Sequence, residues 1–153
     1  MPAAAETRLS GELVDKLGHQ LFAAFESGSA IEPISAAHPT MTVADAYGIQ
    51  RALLQRHARS GRRAAGHKIG LTSVAIQQQL GVGSPDFGVV LDSHVFDSGA
   101  TVSRSELKMV APRLEAEVAF VLDQELRGPG ITPEDVIAST RALVPVFELI
   151  DSR

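Results

Sequence analysis

Arg113-Leu114-Glu115-Ala116-Glu117-Val118-Ala119-Phe120-Val121-Leu122 is the stretch that decides the fold. Leu114, Ala116, Val118, Phe120 and Leu122 fall on one side of an extended chain. Glu115, Glu117, Ala119 and Val121 fall on the other, a period of two that belongs to a strand. Two glutamates separated by one residue on a strand share a face, roughly 6 to 7 Å apart along it. If that strand is mostly buried, two ionised carboxylates so close together repel and are poorly solvated, and a divalent cation relieves both problems. Glu148 sits alone in the apolar run Val144 to Ile150 and is the third acid to consider. An all-oxygen set of three suits Mg²⁺ or Mn²⁺ and leaves positions open for water or a chelating substrate. On spacing alone, the commoner reading of Glu-Ala-Glu is a half-exposed strand whose acids lie in water or pair with Lys and Arg.

Downstream, Gly128-Pro129-Gly130 breaks the strand, and Thr132-Pro133-Glu134-Asp135 has the cap, the proline and the acids of a helix start. The pattern predicts a helix carrying Val136, Ile137, Thr140 and Leu143 to about Val144, followed by a last strand from Pro145 to Ile150. Upstream, Pro85-Asp86-Phe87-Gly88 is turn chemistry, and Val89–Leu91 and His94–Phe96 are short apolar segments of a β-rich region. Gly66-His67-Lys68-Ile69-Gly70-Leu71-Thr72 reads as a strand, followed by a helix from Ser73 to Gln79 that stops at Gly81. Two helices lead the chain. Leu13, Leu17, Leu21 and Phe25 recur every fourth residue between Ser10 and Glu26, and a second helix, with Tyr47, Ile49, Leu53 and Leu54, begins at Thr42 with Asp45 in the capping-box position. Residues 27–40 are a connector.

Lys68, in a glycine-bounded strand, could present its ammonium to an anionic substrate or enolate; a solvated lysine is the plainer reading. Asp86 could be a loop-borne acid or base, or a turn former. His67 and His94 have no ligand-spaced partner. Gly81-Val82-Gly83 is too short for a dinucleotide fingerprint, and Asp86-Phe87-Gly88 lacks the other signatures of a kinase.

Composition narrows the class. With 44% hydrophobic and 21% charged residues among 153, the chain reads as a soluble globular protein rather than a disordered one. A net charge of −4 with scattered basic residues argues against nucleic-acid binding. The lack of cysteine rules out disulfides and thiolate chemistry. No apolar stretch is long enough for a membrane span, and Met1–Thr7 does not look like a signal peptide, so the expected home is the cytoplasm.

Several segments taken in order carry a resemblance: residues 66–72, Gln-Gln-Gln-Leu-Gly-Val at 77–82, Pro-Asp-Phe-Gly at 85–88, Pro-Arg-Leu-Glu-Ala-Glu-Val-Ala-Phe-Val-Leu at 112–122, Leu-Arg-Gly-Pro at 126–129 and Glu-Leu-Ile-Asp-Ser-Arg at 148–153. Together they resemble the 2-keto-4-pentenoate hydratase family of the fumarylacetoacetate-hydrolase-like superfamily. The resemblance implies an α+β fold, with two N-terminal helices in residues 1–64 and part of a mixed β-roll in residues 65–153, the C-terminal part of the roll missing. It also implies hydration of 2-hydroxypenta-2,4-dienoate to 4-hydroxy-2-oxopentanoate in the breakdown of aromatic compounds. Glu115, Glu117 and Glu148 then match the ligands of Mg²⁺ or Mn²⁺, and Lys68 and Asp86 match the active-site lysine and aspartate. A homo-oligomer and association with a related decarboxylase are further implications. The alternatives within the group are a 2-oxohept-3-ene-1,7-dioate hydratase and a 4-oxalocrotonate decarboxylase. Outside it, the alternative is a noncatalytic truncated partner subunit, because a chain ending after the third ligand's strand is expected to be weakly stable and poorly active alone.

Overall fold

A computed structural model describes residues 7–153; residues 1–6, on which most of the reading of the N-terminus rests, lie outside them. The described residues form two compact units, one running up to Lys108 together with Arg153, the other Met109–Ser152.

The first unit begins with a pair of packed helices that run parallel, Val14 lying beside Gly48, Gly18 beside Ala52 and Phe22 beside His57. Helix α1 (Gly11–Ser27) starts where the Ser10 hydroxyl accepts from the Leu13 N–H, and ends at Gly28, whose φ of 68° lets its N–H reach the Ala24 carbonyl. A single helical turn, α2 (Ile34–Ala37), interrupts the expected connector. Helix α3 (Val43–Arg59) carries the full capping box: Thr42 accepts from the Asp45 N–H while the Asp45 carboxylate accepts from the Thr42 N–H. Asp45 is completely buried. Burial pushes its carboxyl up, but the N–H groups of Thr42, Leu9 and Arg8 outweigh this and bring it down to about 2. The helices pack through Leu17 and Ala24 of α1 and Ile49 and Ala52 of α3, all buried. Gly18 makes the approach possible, since a Cβ there would lie 2.5 Å from the Ala52 Cβ and 3.0 Å from the Leu53 nitrogen.

Strand β1 (Ala64–Gly70), helix α4 (Val74–Leu80) and strand β2 (Asp86–Leu91) complete the unit. The strands pair antiparallel, Lys68 opposite Gly88 and Gly70 opposite Asp86. Helix α3 supports β2 directly: the Tyr47 ring stacks on Phe87 at 4.5 Å, and Gln50 donates to the Phe87 carbonyl at 3.2 Å. The apolar segment His94–Phe96 does not form a strand. Asp92–His94 is a single 3-10 turn, and the Asp92 carboxylate accepts from the Arg63 and Ser93 N–H groups, which bends the chain away from the ladder.

The second unit is a two-stranded antiparallel ribbon, β3 (Arg113–Leu122) and β4 (Thr140–Ile150), with the short helix α5 (Pro133–Ala138) between them. The helix predicted to run to Val144 ends six residues earlier. Thr132 and Asp135 start it with a capping box as expected, but the Thr140 hydroxyl donates back to the Val136 carbonyl at 2.6 Å and the chain turns into β4. Pairing with β3 over ten positions overrides the helical spacing of Thr140 and Leu143. Pro145, inside β4, is tolerated because each strand of a two-stranded ribbon has an outer edge that needs no ladder hydrogen bond. The Asp151 carboxylate accepts from the Val110 and Ala111 N–H groups at 3.0 and 2.7 Å, tying the start of β3 to the end of β4.

Candidate metal centre and acid–base face

The register of β3 and β4 determines where the three glutamates lie. Glu115 stands directly opposite Glu148, and Glu117 opposite Val146. Directly opposed residues share a face, as do residues two apart, so Glu115, Glu117 and Glu148 project to one side of the ribbon. Each offers a carboxylate oxygen, and the three oxygens lie within 4.8 Å of one another. An all-carboxylate set at this spacing suits a hard divalent cation.

The acids lie less deep than the mostly buried strand on which the cation argument rests: Glu115 is exposed, as the plainer half-exposed reading expects, and Glu117 and Glu148 are half-buried, with Glu148 Oε2 itself shielded from solvent. With two strands and no second layer among the described residues of this unit, neither face of the ribbon is closed. The reverse face is apolar throughout: Leu114, Val118, Phe120 and Leu122 of β3 share it with Leu143, Phe147 and Leu149 of β4, and Phe147 is 74% exposed. Proximity of like charges, with loss of water at the buried Glu148 Oε2, is what a cation would relieve at these glutamates.

Lys68 and Asp86 belong to the first unit and come together there. Because Lys68 is paired with Gly88 and Asp86 with Gly70, the lysine and the aspartate occupy one face as a diagonal pair. Both directly opposed residues are glycines, and the space where a Gly88 Cβ would stand, opposite Lys68, is open. The Gly70 position is tight: a Cβ there would run into the Asp86 carboxylate. Lys68 is half-buried and Asp86 exposed. His67 points to the opposite, exposed face of β1.

His94 is structural in its contacts. Its ring stacks on Phe25 at 5.2 Å, beside buried His57, whose ring meets Phe25 edge-on at 4.6 Å. Arg62 approaches His57 Nδ1 at 3.2 Å and pairs with Glu26 at 2.6 Å, so its charge is spent within this cluster. Burial lowers the pKa of both histidines, and the nearby guanidinium of Arg62 adds to the effect in each.

The sequence reading missed the side-chain bond between Gln77 and the Leu71 carbonyl, at 2.6 Å. It also missed the role of Gly70 opposite Asp86. A glycine closing the strand was the available signal for the second; nothing local signalled the first.

No protein-family model matches the chain. The chain is 42% identical to a 2-hydroxyhexa-2,4-dienoate hydratase of Comamonas testosteroni, over 93% of this chain and 54% of that protein. It is also 42% identical to a 2-hydroxypent-2,4-dienoate hydratase of Pseudomonas putida, over 92% and 63% respectively. Among solved structures, a 4-oxalocrotonate decarboxylase from Pseudomonas putida G7, complexed with magnesium and adipate, superposes with a TM-score of 0.89 at 34% identity, covering 95% of this chain and 55% of that one. The chain thus spans somewhat more than half the length of these relatives. With likeness extending over more than nine-tenths of its own residues, the chain belongs to the 2-keto-4-pentenoate hydratase family.

Proposed function

We propose that the chain provides the metal ligands and an acid–base pair for hydration of 2-hydroxypenta-2,4-dienoate to 4-hydroxy-2-oxopentanoate, in the catabolism of aromatic compounds. The observation that carries this reading is the convergence of Glu115, Glu117 and Glu148 within 4.8 Å. These three would hold Mg²⁺ or Mn²⁺, and magnesium in the related decarboxylase structure supports the assignment. When bound, the cation supplies Lewis-acid polarisation to a chelating 2-oxo acid.

The remaining steps fall to side chains. Lys68 offers its ammonium to the negative charge of the substrate. The dienol gains a proton at C5 and loses its O2 proton, giving a C3–C4 double bond conjugated to the new C2 carbonyl. Water then adds its oxygen to C4, and a proton goes to C3. Asp86, directly or through a water, moves protons in these steps, and Lys68 stands diagonal to it on the same face. The intact enzyme is read as a cytoplasmic homo-oligomer acting on a small 2-hydroxydienoic acid, and the related decarboxylase is its proposed associate.

A second reading has its own support. The chain is 40% identical to a 4-oxalocrotonate decarboxylase of a Pseudomonas species over 76% of its length. Dienol hydration and 4-oxalocrotonate decarboxylation, assayed side by side with and without Mg²⁺, decide between the two. Metal-dependent hydration that is lost in Glu115→Gln/Glu117→Gln supports the hydratase. Hydration unaffected by that double substitution rejects the proposed site.

A further inference from the structure

Leu71 leaves β1 with a φ of 56°, and it and Lys108 are the two non-glycine residues with positive φ among the described residues. A side chain with a Cβ disfavours this left-handed conformation, so something must hold it. Gln77 does so. Its side-chain amide donates to the Leu71 carbonyl at 2.6 Å, at the short end for a neutral N–H···O bond. Gln77 is also the one half-buried residue of α4; its neighbours are exposed. Its own backbone carbonyl accepts from Gly81 and from Val82, the latter at 2.9 Å, where the chain turns back toward β2. Gln77 therefore ties the exit of β1 to the approach to β2. Those are the strand ends that carry Gly70 and Asp86, which are paired with each other.

We propose that Gln77 is a positioning residue for the Lys68–Asp86 face. By holding the Leu71–Thr72 peptide in its left-handed turn, it fixes the end of β1, so that Gly70 stays against the Asp86 carboxylate and Lys68 stays diagonal to it. The peptide is planar and trans, so fixing the Leu71 carbonyl also fixes the direction of the Thr72 N–H. The functional purpose of this lock rests on the reading of Lys68 and Asp86 as an acid–base pair.

The test uses the whole 153-residue chain and reads two NMR signals, the Asp86 carboxyl ¹³C resonance and amide exchange across residues 69–72. Gln77→Leu removes the donor, and Gln77→Glu removes it while keeping the length of the side chain, in case the leucine variant folds poorly. Each is expected to move the Asp86 resonance and to speed exchange about fivefold, the ratio for one ordinary hydrogen bond. Glycine adopts the left-handed turn unaided, so adding Leu71→Gly to Gln77→Leu is expected to restore both signals. Gln77 serving only α4 stability predicts no such rescue. An unmoved Asp86 resonance in both Gln77 variants, or failure of Leu71→Gly to rescue, overturns the proposal. In the hydration assay Gln77→Leu is expected to lower kcat more than it raises KM, with Leu71→Gly again restoring it. Full turnover in Asp86→Asn overturns the acid–base reading, while the Asp86 signal of the parent still decides the lock itself.

Discussion

Replacing Glu148 by glutamine should stabilise the chain without metal and destabilise it, relative to the parent, with metal. Carboxylate oxygens within 4.8 Å of one another repel by about 0.9 kcal/mol per pair in water. Glu148 belongs to two such pairs, so neutralising it removes somewhat under about 2 kcal/mol, and roughly half of that after screening at physiological salt. The expected gain in EDTA is therefore about 1 kcal/mol, a rise of about 2 to 4 °C in melting temperature for a chain of this size. In Mg²⁺ at about one hundred times its Kd, the parent gains about 2.7 kcal/mol by linkage. The variant, with one ligand lost, gains much less, and the order of the two melting curves reverses. Thermal melts in EDTA and in Mg²⁺, with calorimetric titration of each protein, measure all four quantities. Equal Mg²⁺ stabilisation of parent and variant, or an EDTA melt of the variant below that of the parent, would show that the three glutamates do not act as a common site.

Three further outcomes follow from the packing. His57 and His94 have folded pKa values lowered by burial, so the unfolded chain binds more protons than the folded one in the window below its ordinary value of about 6.5. Their contribution is fully present above that value and is lost as pH falls through the folded values; urea melts between pH 7.5 and 5.5 should show declining stability, and His57→Phe should flatten the slope. Gly18→Ala should push α1 from α3, since its Cβ would sit 2.5 Å from that of Ala52, costing about 1 to 3 kcal/mol in denaturant melts. Phe147→Lys with Phe120→Lys, on the exposed apolar side of the ribbon, should reduce light scattering at high protein concentration while leaving the Glu115–Glu117–Glu148 side and its Mg²⁺ titration unchanged.

Much of the architecture was legible because it rests on short-range rules. The caps at Thr42 and Thr132 need only a side-chain oxygen and an amide two or three residues on, and both formed where the sequence put them. The alternation from Arg113 to Leu122 gave β3 to the residue. It also put Glu115 and Glu117 on one face, and the metal reading began from that. Local spacing failed from Thr140 to Val144, where a helical pattern gave way to the ladder with β3. It failed again at His94–Phe96, where Asp92 turned the chain instead.

The sequence by itself determined which residues could bear the chemistry and which elements would carry most of them, because period and capping are properties of a few neighbouring residues. Tertiary structure alone decided that Glu148 faces Glu115, that Asp86 shares a face with Lys68 beside Gly70, and that Gln77 holds Leu71. Register couples residues some thirty positions apart in the ribbon, and a slip of one would turn Glu148 to the apolar side. No window of neighbouring residues contains that choice; the pairing along both strands, with Asp151 tying their ends, makes it.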